Sequence, residues 1–197
     1  MNASIRLASP DDAAALRTIY APAVATPISF EIEVPTEQEM RNRVLKTLKV
    51  YPWLVCEQGS RVVGYAYGSR HRLRAAYDWS VEVSVYVDKT IRRKGVGKAL
   101  YLALFKALSC QGFYTAFAGI TVPNPESVGF HEAVGFRPIG IFHRVGFKAG
   151  AWHDVGWWEL FLATQPEIPR PLLSMDELLD SPGWQSVLRL GEECLST

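Results

Sequence analysis

The chain has 197 residues, of which 48% are hydrophobic and 21% are charged, and its formal net charge is +1. These values are typical of one globular domain with enough apolar material for a core, and they exclude a chain that is mainly disordered. Because the charge is nearly balanced, they also argue against a general nucleic-acid or membrane-surface binder, so any cationic site should be local and suited to a small anion.

Cysteine, histidine and N-terminal patterns limit the compartment and the cofactor chemistry. Three cysteines without a paired CxxC spacing predict neither a disulfide framework nor a cysteine zinc site. His143 and His153 are far apart, and no histidine has a zinc-like spacing to a carboxylate, so we expect no metal. The N-terminus has no apolar signal core, and no window approaches the roughly 18 apolar residues of a membrane span. We therefore expect a cytoplasmic protein with no membrane or nucleic-acid partner.

The first elements are a short strand and two helices with defined starts. The tripeptide IRL is typical of a strand, and Ser9 followed by Pro10 is typical of an N-cap and a first helical position. The apolar stretch at 13–20 continues that helix. A second helix should begin at the capping box TEQE, residues 36–39.

The next segments predict a hairpin and a strand with two different faces. WLVCE at 53–57 and RVVGYAYG at 61–68 are rich in β-forming residues and are separated by QGS, a composition typical of a hairpin. In SVEVSVYV, residues 80–87, valines occupy alternate positions. Glu82 should therefore lie on the face opposite the valines.

The second half alternates helices and strands. The helix after Gly97 is apolar nearly all round, so we expect it to be buried, and Gly112 is placed to end it. TAFAGITV predicts a strand, and Asn124 is the N-cap of the helix that follows, with Gly135 just past its end. Residues 136–162 are β-rich, with GWWELF as the last strand.

The order of elements predicts a single layered domain. Strands mixed with helices indicate an α/β or α+β fold, which we place at residues 1–163. The composition changes from Gln165, where QPEIPRP is linker-like and LLSMDELLDSPGW predicts a short helix and a turn. Residues 164–197 are expected to form a C-terminal tail, for which the sequence indicates no function.

The stretch DKTIRRKGVGKAL, residues 88–100, places cations and two glycines at the entrance of an apolar run. A Walker phosphate loop would need glycine at Arg92 and a hydroxyl residue at Ala99. A dinucleotide-binding fingerprint would need glycine at Leu100. Both nucleotide-binding motifs are therefore excluded.

A glycine turn at the start of a helix remains. Gly95 and Gly97 lack side chains, so a ligand can approach backbone N–H groups at the positive end of the helix dipole. The natural guest of such a cradle, with cationic side chains around it, is a pyrophosphate. From the GxG pattern alone, a basic helix cap on a solvated surface fits equally well.

Neighbouring motifs relate this loop to a known family. Residues 92–97 follow the (Arg/Gln)-x-x-Gly-x-(Gly/Ala) pattern of the GNAT superfamily of N-acetyltransferases, and NPESVGFHEAVGF at 124–136 resembles the superfamily's helix beside the CoA arm. AYDWSVEVSVYV, HEAVGF and GFKAGAWHDVGWW resemble the phosphinothricin acetyltransferase group, over roughly residues 3–163. The resemblance implies a mixed sheet splayed between its fourth and fifth strands, acetyl-CoA as cosubstrate in the cleft, and usually a homodimer.

Acetyl transfer to an amine needs a proton acceptor, because an amino-acid amine is mostly protonated at pH 7. Glu82 matches the general base of the family, although alternation alone fits an exposed strand carboxylate equally well. His131 occupies a position where many GNAT enzymes have tyrosine and the phosphinothricin group has histidine. It is therefore the candidate acid for the leaving thiolate, and its alternative role is to cap or pack the helix end.

The resemblance also implies a set of acetyl-CoA contacts. Backbone N–H groups of the splayed fourth strand would stabilise negative charge on the thioester oxygen and hold the pantetheine arm. Asn124 and Ser127 could equally have a plain N-capping role. The residues expected to bind acetyl-CoA are Val85, Tyr86, Val87, Arg92, Arg93, Lys94, Gly95, Val96, Gly97, Lys98, Asn124 and Ser127.

Two arginines indicate the charge of the acceptor. Arg72 and Arg74 are two residues apart, so in an extended segment both would point the same way and suit a carboxylate or a phosphinate. Their alternative is a solvated basic loop. The other residues expected at the amino-acid pocket are Phe30, Tyr77, Lys148, Trp152 and His153, the last three from either subunit.

Together these features predict an acetyl-CoA-dependent N-acetyltransferase of a small anionic amino acid, with phosphinothricin, methionine sulfoximine and methionine sulfone as leading acceptors. We expect direct transfer in a ternary complex. A polyamine, an aminoglycoside or a protein N-terminus is the alternative acceptor, and acidic pocket residues would suit such cations. The alternative that is not an enzyme is a catalytically silent acyl-CoA-binding module. Such a module would bind acetyl-CoA without turnover.

Overall fold

One mixed sheet organises the described part of the chain, residues 3–91 and 93–195 of this computed structural model. The strands are β1 (Ala3–Leu7), β2 (Trp53–Gln58), β3 (Arg61–Arg70), β4 (Ser80–Val87), β5 (Thr115–Val122), β6 (Arg137–Lys148) and β7 (Ala151–Phe161), in the order β1-β2-β3-β4-β5-β7-β6. The helices are α1 (Ala13–Val24), α2 (Glu37–Thr47), α3 (Val96–Gln111), α4 (Pro125–Ala133), α5 (Met175–Leu179) and α6 (Trp184–Leu195), with short 3-10 turns at Pro10–Asp12, Ala75–Tyr77 and Lys89–Ile91. The predicted layered α/β fold is confirmed.

Side-chain caps define the helix starts that the sequence predicted. The Thr36 hydroxyl accepts the N–H of Glu39 at 3.2 Å, and the Asn124 side-chain oxygen accepts the N–H of Ser127 at the same distance. These bonds satisfy N–H groups that have no partner inside the helix. The first helix differs in one detail, because Pro10–Asp12 forms a 3-10 turn ahead of α1.

The sheet is splayed between β4 and β5, as predicted. On one side, β4 pairs with β3 in antiparallel fashion from Val81 to Val87. On the other side, its parallel pairing with β5 covers only three residue pairs and ends at Glu82 opposite Phe117. The rest of β4 therefore has a strand neighbour on one edge only, and a cleft opens there.

The two faces of the sheet are covered by different helices. Val81 and Val83 of β4 are buried in a cluster with α3 side chains such as Leu104. The opposite face carries Tyr65 and packs against α1 and α2. Glu82 is half-buried and alternates with the buried valines, so it lies on the face that the sequence predicted.

The C-terminal tail forms two helices, where the sequence predicted one short helix and a turn. Leu178 and Val187 are fully buried in the cluster that contains α3. A Cβ on Gly191 would lie 2.9 Å from the Ala99 carbonyl oxygen, so only glycine allows α6 to approach α3 this closely. The tail thus completes the core on the α3 side, and the domain boundary at residue 163 stays a prediction.

We expect Leu178→Ala to lower the free energy of unfolding by about 2–5 kcal/mol, because the change leaves a cavity in a packed core. Leu173→Ala is the matched control in the same tail, since Leu173 is 38% exposed and should change stability by only about 0.5 kcal/mol. Chemical denaturation of both variants measures the difference. Equally small effects would mean that the tail contributes little to the core.

The described residues, 3–91 and 93–195, contain neither a metal-ligand cluster nor a membrane-spanning helix. No group of three or more His, Cys, Asp or Glu side chains in these ranges could hold a metal ion. None of the helices there combines the length and apolar character needed to cross a bilayer. The expected compartment and the expected absence of a metal stay predictions.

Candidate active site

A cleft of about 630 Å³ lies where β4 and β5 separate. Its walls are the end of β4, the start of α3, the start of α4 and one side of α1. Lys94 is not among the lining residues, and Arg92 lies outside the described residues. The predicted site residues that line the cleft are Val85, Tyr86, Val87, Arg93, Gly95, Val96, Gly97, Lys98, Asn124, Ser127 and His131.

The glycine turn at the start of α3 leaves its backbone accessible. Gly95 is the N-cap of α3 with a φ of 76°, a left-handed conformation that favours glycine. A Cβ on Gly97 would lie 3.3 Å from the Phe130 ring, so a side chain there would crowd the cleft wall. Arg93 and Lys98 add positive charge beside the free N–H groups of the helix start. The turn can therefore hold an anion against the backbone.

The free edge of β4 forms another wall of the cleft. Val85, Tyr86 and Val87 line it, and within the described part of the chain they pair with β3 alone. In an antiparallel pair, alternate residues direct their N–H and C=O groups away from the partner strand. This edge can therefore hydrogen-bond an extended chain and donate to an oxygen that gains negative charge.

His131 lies on the cleft wall, where its buried ring contacts the Ser127 carbonyl oxygen and the Tyr101 hydroxyl. Its Nδ1 lies 2.8 Å from the Ser127 carbonyl oxygen, which can only accept, so Nδ1 carries a proton. Burial lowers the pKa of His131, which favours the neutral ring, and Nε2 accepts a hydrogen bond from the Tyr101 hydroxyl at an O···N distance of 3.0 Å. This protonation state does not favour His131 as an acid, and that role stays a prediction.

Glu82 lies at the fork of the splayed strands and contacts a histidine. Its carboxylate Oε1 is 3.0 Å from Nδ1 of His71. Burial raises the pKa of Glu82, while the His71 hydrogen bond and the charges of His71 and Arg72 lower it in part. Val85 is three residues further along β4, so the Cα atoms of Glu82 and this first cleft residue of β4 are about 10 Å apart along the strand.

The segment after β3 brings residues that were predicted to bind the acceptor amino acid close to Glu82. The sequence did not predict their arrangement. The guanidinium of Arg72 lies 5.9 Å from the Trp157 ring centroid, and the Tyr77 ring lies 6.0 Å from that of His71. The segment after β3 bends at His71, Leu73 and Arg74 instead of continuing as a strand, and Arg74 is the N-cap of a 3-10 turn. The extended segment assumed for Arg72 and Arg74 is therefore not formed, and the expectation that the two side chains point the same way stays a prediction.

Lys148 has a structural contact in place of the predicted substrate contact. It is buried, and its ammonium donates to the backbone carbonyl oxygens of Val24, Thr26, Ser29 and Glu31 at 2.6, 2.9, 2.7 and 2.6 Å. An ammonium has three N–H groups, and four acceptors already share them. No donor remains for a substrate carboxylate, so the structure contradicts the predicted substrate contact of Lys148.

Phe30 packs on the β6–β7 hairpin instead of near Glu82. A Cβ on Gly146 would lie 2.1 Å from the Phe30 ring, and the ring centroids of Phe30 and His153 are 6.3 Å apart. Trp152 is exposed on the same hairpin. His153 lies six residues along β7 from the row of the sheet that contains Glu82, which is about 20 Å. Within one chain these residues do not share a pocket with Glu82, and their substrate role stays a prediction.

The comparison with family models decides the identity of the fold and its chemistry. A model described as an acetyltransferase (GNAT) domain matches residues 5–157, most of the chain. The chain belongs to the GNAT acetyltransferase family. It is therefore an acetyl-CoA-dependent N-acetyltransferase, as its sequence motifs indicated.

The curated relatives of this GNAT acetyltransferase include enzymes named for two kinds of amino-acid substrate. It is 38% identical over 175 residues to a phosphinothricin N-acetyltransferase of Streptomyces viridochromogenes, covering 88% of this chain and 95% of that one. It is 34% identical to an L-methionine sulfoximine/L-methionine sulfone acetyltransferase of Pseudomonas aeruginosa, covering 82% and 96%. The crystal structure of a phosphinothricin acetyltransferase from Sinorhizobium meliloti in complex with acetyl-CoA superposes with a TM-score of 0.79 at 32% identity, covering 89% and 99%.

The cleft of this GNAT acetyltransferase fits acetyl-CoA. The turn at Gly95 and Gly97 can hold an anion such as a pyrophosphate, and the edge of β4 offers backbone partners to an extended arm. The volume of about 630 Å³ is that of a small-molecule site. The residues present are therefore compatible with the cosubstrate of the family.

Sequence reasoning missed several residues of the GNAT site. His71 has no motif of its own, and only its position two residues from Ser69, which pairs with Glu82, could have indicated the contact. The α1 residues Ile19 and Ala23 line the cleft but have an ordinary amphipathic pattern. Such residues are identified by the packing of α1 against the sheet, which the motifs do not encode.

We expect Lys148→Met to lower the free energy of unfolding of this acetyltransferase by about 1–3 kcal/mol, because several carbonyl groups lose their charged donor. Lys106→Met on α3 is the control, since Lys106 is exposed. Chemical denaturation of the two variants measures the difference. If both lose the same small amount, Lys148 does not organise the loop after α1.

Proposed function

We propose that this enzyme transfers the acetyl group of acetyl-CoA directly to the α-amine of a small anionic amino acid of the phosphinothricin, methionine sulfoximine or methionine sulfone type. One observation carries the proposal: the half-buried Glu82 carboxylate lies at the fork of β4 and β5, within the electrostatic influence of Arg72. This arrangement supports a role for Glu82 as the base for the amine and for Arg72 as the cation for the acceptor. The named activities of its relatives support the same substrate class.

The cleft residues would hold and polarise the cosubstrate. Acetyl-CoA supplies an acetyl group activated as a thioester. The N–H groups at the start of α3, with Arg93 and Lys98 beside them, would bind its pyrophosphate. Val85, Tyr86 and Val87 would hold the arm through backbone hydrogen bonds and donate to the carbonyl oxygen as its negative charge increases.

Glu82 would remove the proton that keeps the acceptor amine unreactive. An ammonium has no lone pair, so the proton must leave before the nitrogen can form a bond to the acetyl carbon. Burial raises the pKa of Glu82, which makes the carboxylate a stronger base than an exposed glutamate. Because only its ionised form accepts a proton, kcat/KM should fall as the pH decreases through the pKa of Glu82.

Positive charge and a free donor support an anionic acceptor. Among the described residues, neither Arg72 nor Arg74 has an ion-pair partner, so both are available to a carboxylate, phosphinate or sulfone oxygen. The indole N–H of Trp157 is buried and has no hydrogen-bond acceptor among the described residues. The Arg72 guanidinium lies over the same ring. A cationic polyamine would face repulsion from the arginines.

Release of the CoA thiol with five amines tests the proposal. Purified protein is given acetyl-CoA with phosphinothricin, methionine sulfoximine, methionine sulfone, glutamate or spermidine. We expect turnover with the first three, whose headgroups are tetrahedral and polar. Turnover with spermidine alone, or acetyl-CoA binding with no turnover on any amine, would contradict the proposed acceptor.

We also propose that the enzyme is a homodimer that buries the face of β6. This strand is at the edge of the sheet, and Ile141, Val145 and Phe147 on it are about half exposed. We expect a dimer by light scattering and a monomer for Ile141→Arg. Ile168→Arg is the control, because Ile168 is 81% exposed in the tail and should leave the dimer intact. A monomeric wild-type protein would contradict this assembly.

A further inference from the structure

His71 contacts Glu82 from the end of the neighbouring strand. Glu82 pairs with Ser69 in the β3–β4 register, and His71 follows Ser69 by two residues. Residues two apart along a strand share a face, and a diagonal neighbour across two strands is within reach of a long side chain. The resulting distance from Nδ1 of His71 to Oε1 of Glu82 is 3.0 Å. His71 is the first residue after β3, which ends at Arg70, so the β3–β4 pairing brings it close to Glu82 although it lies in a bend.

Three aromatic side chains hold the His71 ring in one orientation. The ring stacks on Phe117, with centroids 4.4 Å apart and planes 16° apart. The rings of Tyr77 and Trp157 meet it edge-on, each at 6.0 Å. Only 11% of the His71 side chain is exposed. Rotating the ring would break this packing, so Nδ1 stays directed at Glu82.

The chemistry of the contact fixes the position of one proton. An ionised carboxylate can only accept a hydrogen bond, so Nδ1 of His71 carries a hydrogen and donates a hydrogen bond to Glu82. This donor stabilises the ionised carboxylate, whereas burial favours the protonated form. The hydrogen bond is therefore stronger to the ionised form of Glu82, the form that accepts a proton from the amine.

Few other groups act on this carboxylate. From β5, Phe117 adds no charge, and from β7, Glu159 is paired with Arg137 at 3.2 Å. Arg72 favours the ionised form by its charge alone, without a hydrogen bond to Glu82 among the described residues. Among residues 3–91 and 93–195, the titratable or charged groups that interact with Glu82 are His71, Arg72 and Tyr67.

We propose that His71 is a positioning residue, which orients the Glu82 carboxylate and keeps it ionised for proton removal from the acceptor amine. The inference rests on the proposed function, because it assigns a partner to the proposed base. His71 itself does not exchange a proton with the amine. It acts through Glu82, by donating one hydrogen bond from a ring that the aromatic side chains hold in place.

Two substitutions separate the hydrogen bond from the packing. His71→Phe keeps a ring between the aromatic neighbours and removes the donor. His71→Asn loses the ring but places an amide N–H near the position of Nδ1. The pKa of Glu82 is measured in each protein by NMR titration of glutamate labelled with 13C at the carboxyl carbon, with the Glu82 signal assigned from Glu82→Gln.

We expect the pKa of Glu82 to rise by about one unit in His71→Phe, the size expected for losing a hydrogen bond to a charged group. In His71→Asn it should stay closer to the wild-type value. The acid limb of kcat/KM against pH should move to higher pH in His71→Phe by the same amount. A merely structural role would lower activity without moving this limb.

The outcomes separate this inference from the proposed function. The NMR titration needs no amine, so it remains valid if the acceptor is a different one. An unchanged pKa of Glu82 in His71→Phe would overturn the inference even if the enzyme acetylates phosphinothricin. An equal shift in both variants would also overturn it, because the donor would then not be the cause.

Discussion

We expect Glu82→Gln to lower kcat at pH 7 by about 100-fold or more, the magnitude typical of losing a general base. The substitution keeps the size of the side chain and removes its ability to accept a proton. Acetyl-CoA affinity should be unchanged, because Glu82 is not among the residues that line the cleft. The acid limb of kcat/KM should disappear in this variant, because a glutamine side chain has no titrating carboxyl group.

Glu159→Gln is the matched control for this prediction. Glu159 lies in the same row of the sheet, opposite Phe117, and its side chain is 28% exposed, compared with 30% for Glu82. Its surface ion pair with Arg137 contributes little to stability. We expect its kcat to stay close to the wild-type value. A decrease of only about twofold for Glu82→Gln across the pH range would remove Glu82 from the role of base.

We expect Gly95→Val to weaken acetyl-CoA binding by about tenfold or more, with a similar decrease in kcat/KM. The φ of 76° is strained for a β-branched residue, at a cost of about 1–2 kcal/mol. The new side chain would also project from the turn that we propose binds the pyrophosphate. A loss of about 1.4 kcal/mol in binding free energy corresponds to a factor of about ten.

Gly59→Val separates the two causes. Gly59 has a φ of 64° in the exposed β2–β3 hairpin, and a Cβ there would meet nothing within 4 Å. It should therefore undergo similar backbone strain without affecting the cleft. Isothermal titration of acetyl-CoA into both variants measures the difference. Equal affinities in the two variants would mean that the turn at Gly95 does not hold the pyrophosphate.

Features encoded by a few neighbouring residues could be predicted from the sequence. The capping box at Thr36 and the N-cap at Asn124 depend on hydrogen bonds within one turn, and both form as predicted. The alternation in β4 places Glu82 opposite the buried valines in the same way. The splay between β4 and β5 followed from the family resemblance rather than from local residue patterns.

Features that depend on distant parts of the chain could not be predicted. Lys148 was expected to complete the amino-acid pocket with Trp152 and His153, yet its contacts are carbonyl groups more than 100 residues earlier in the chain. The common direction of the Arg72 and Arg74 side chains was predicted from strand geometry. The chain bends in that segment instead, because local patterns do not determine how a loop packs. His71 acquires its role from aromatic side chains on other strands, which no local pattern brings together.

Identification of the product tests the central claim most directly. Phosphinothricin and acetyl-CoA are incubated with the enzyme, and the amino acid and the CoA thiol are quantified by mass spectrometry and NMR. The proposed reaction predicts one acetyl group on the α-nitrogen for each CoA thiol released, and none without enzyme. CoA release with unmodified phosphinothricin would contradict transfer to the α-amine, as would an acetyl group attached anywhere else on the molecule.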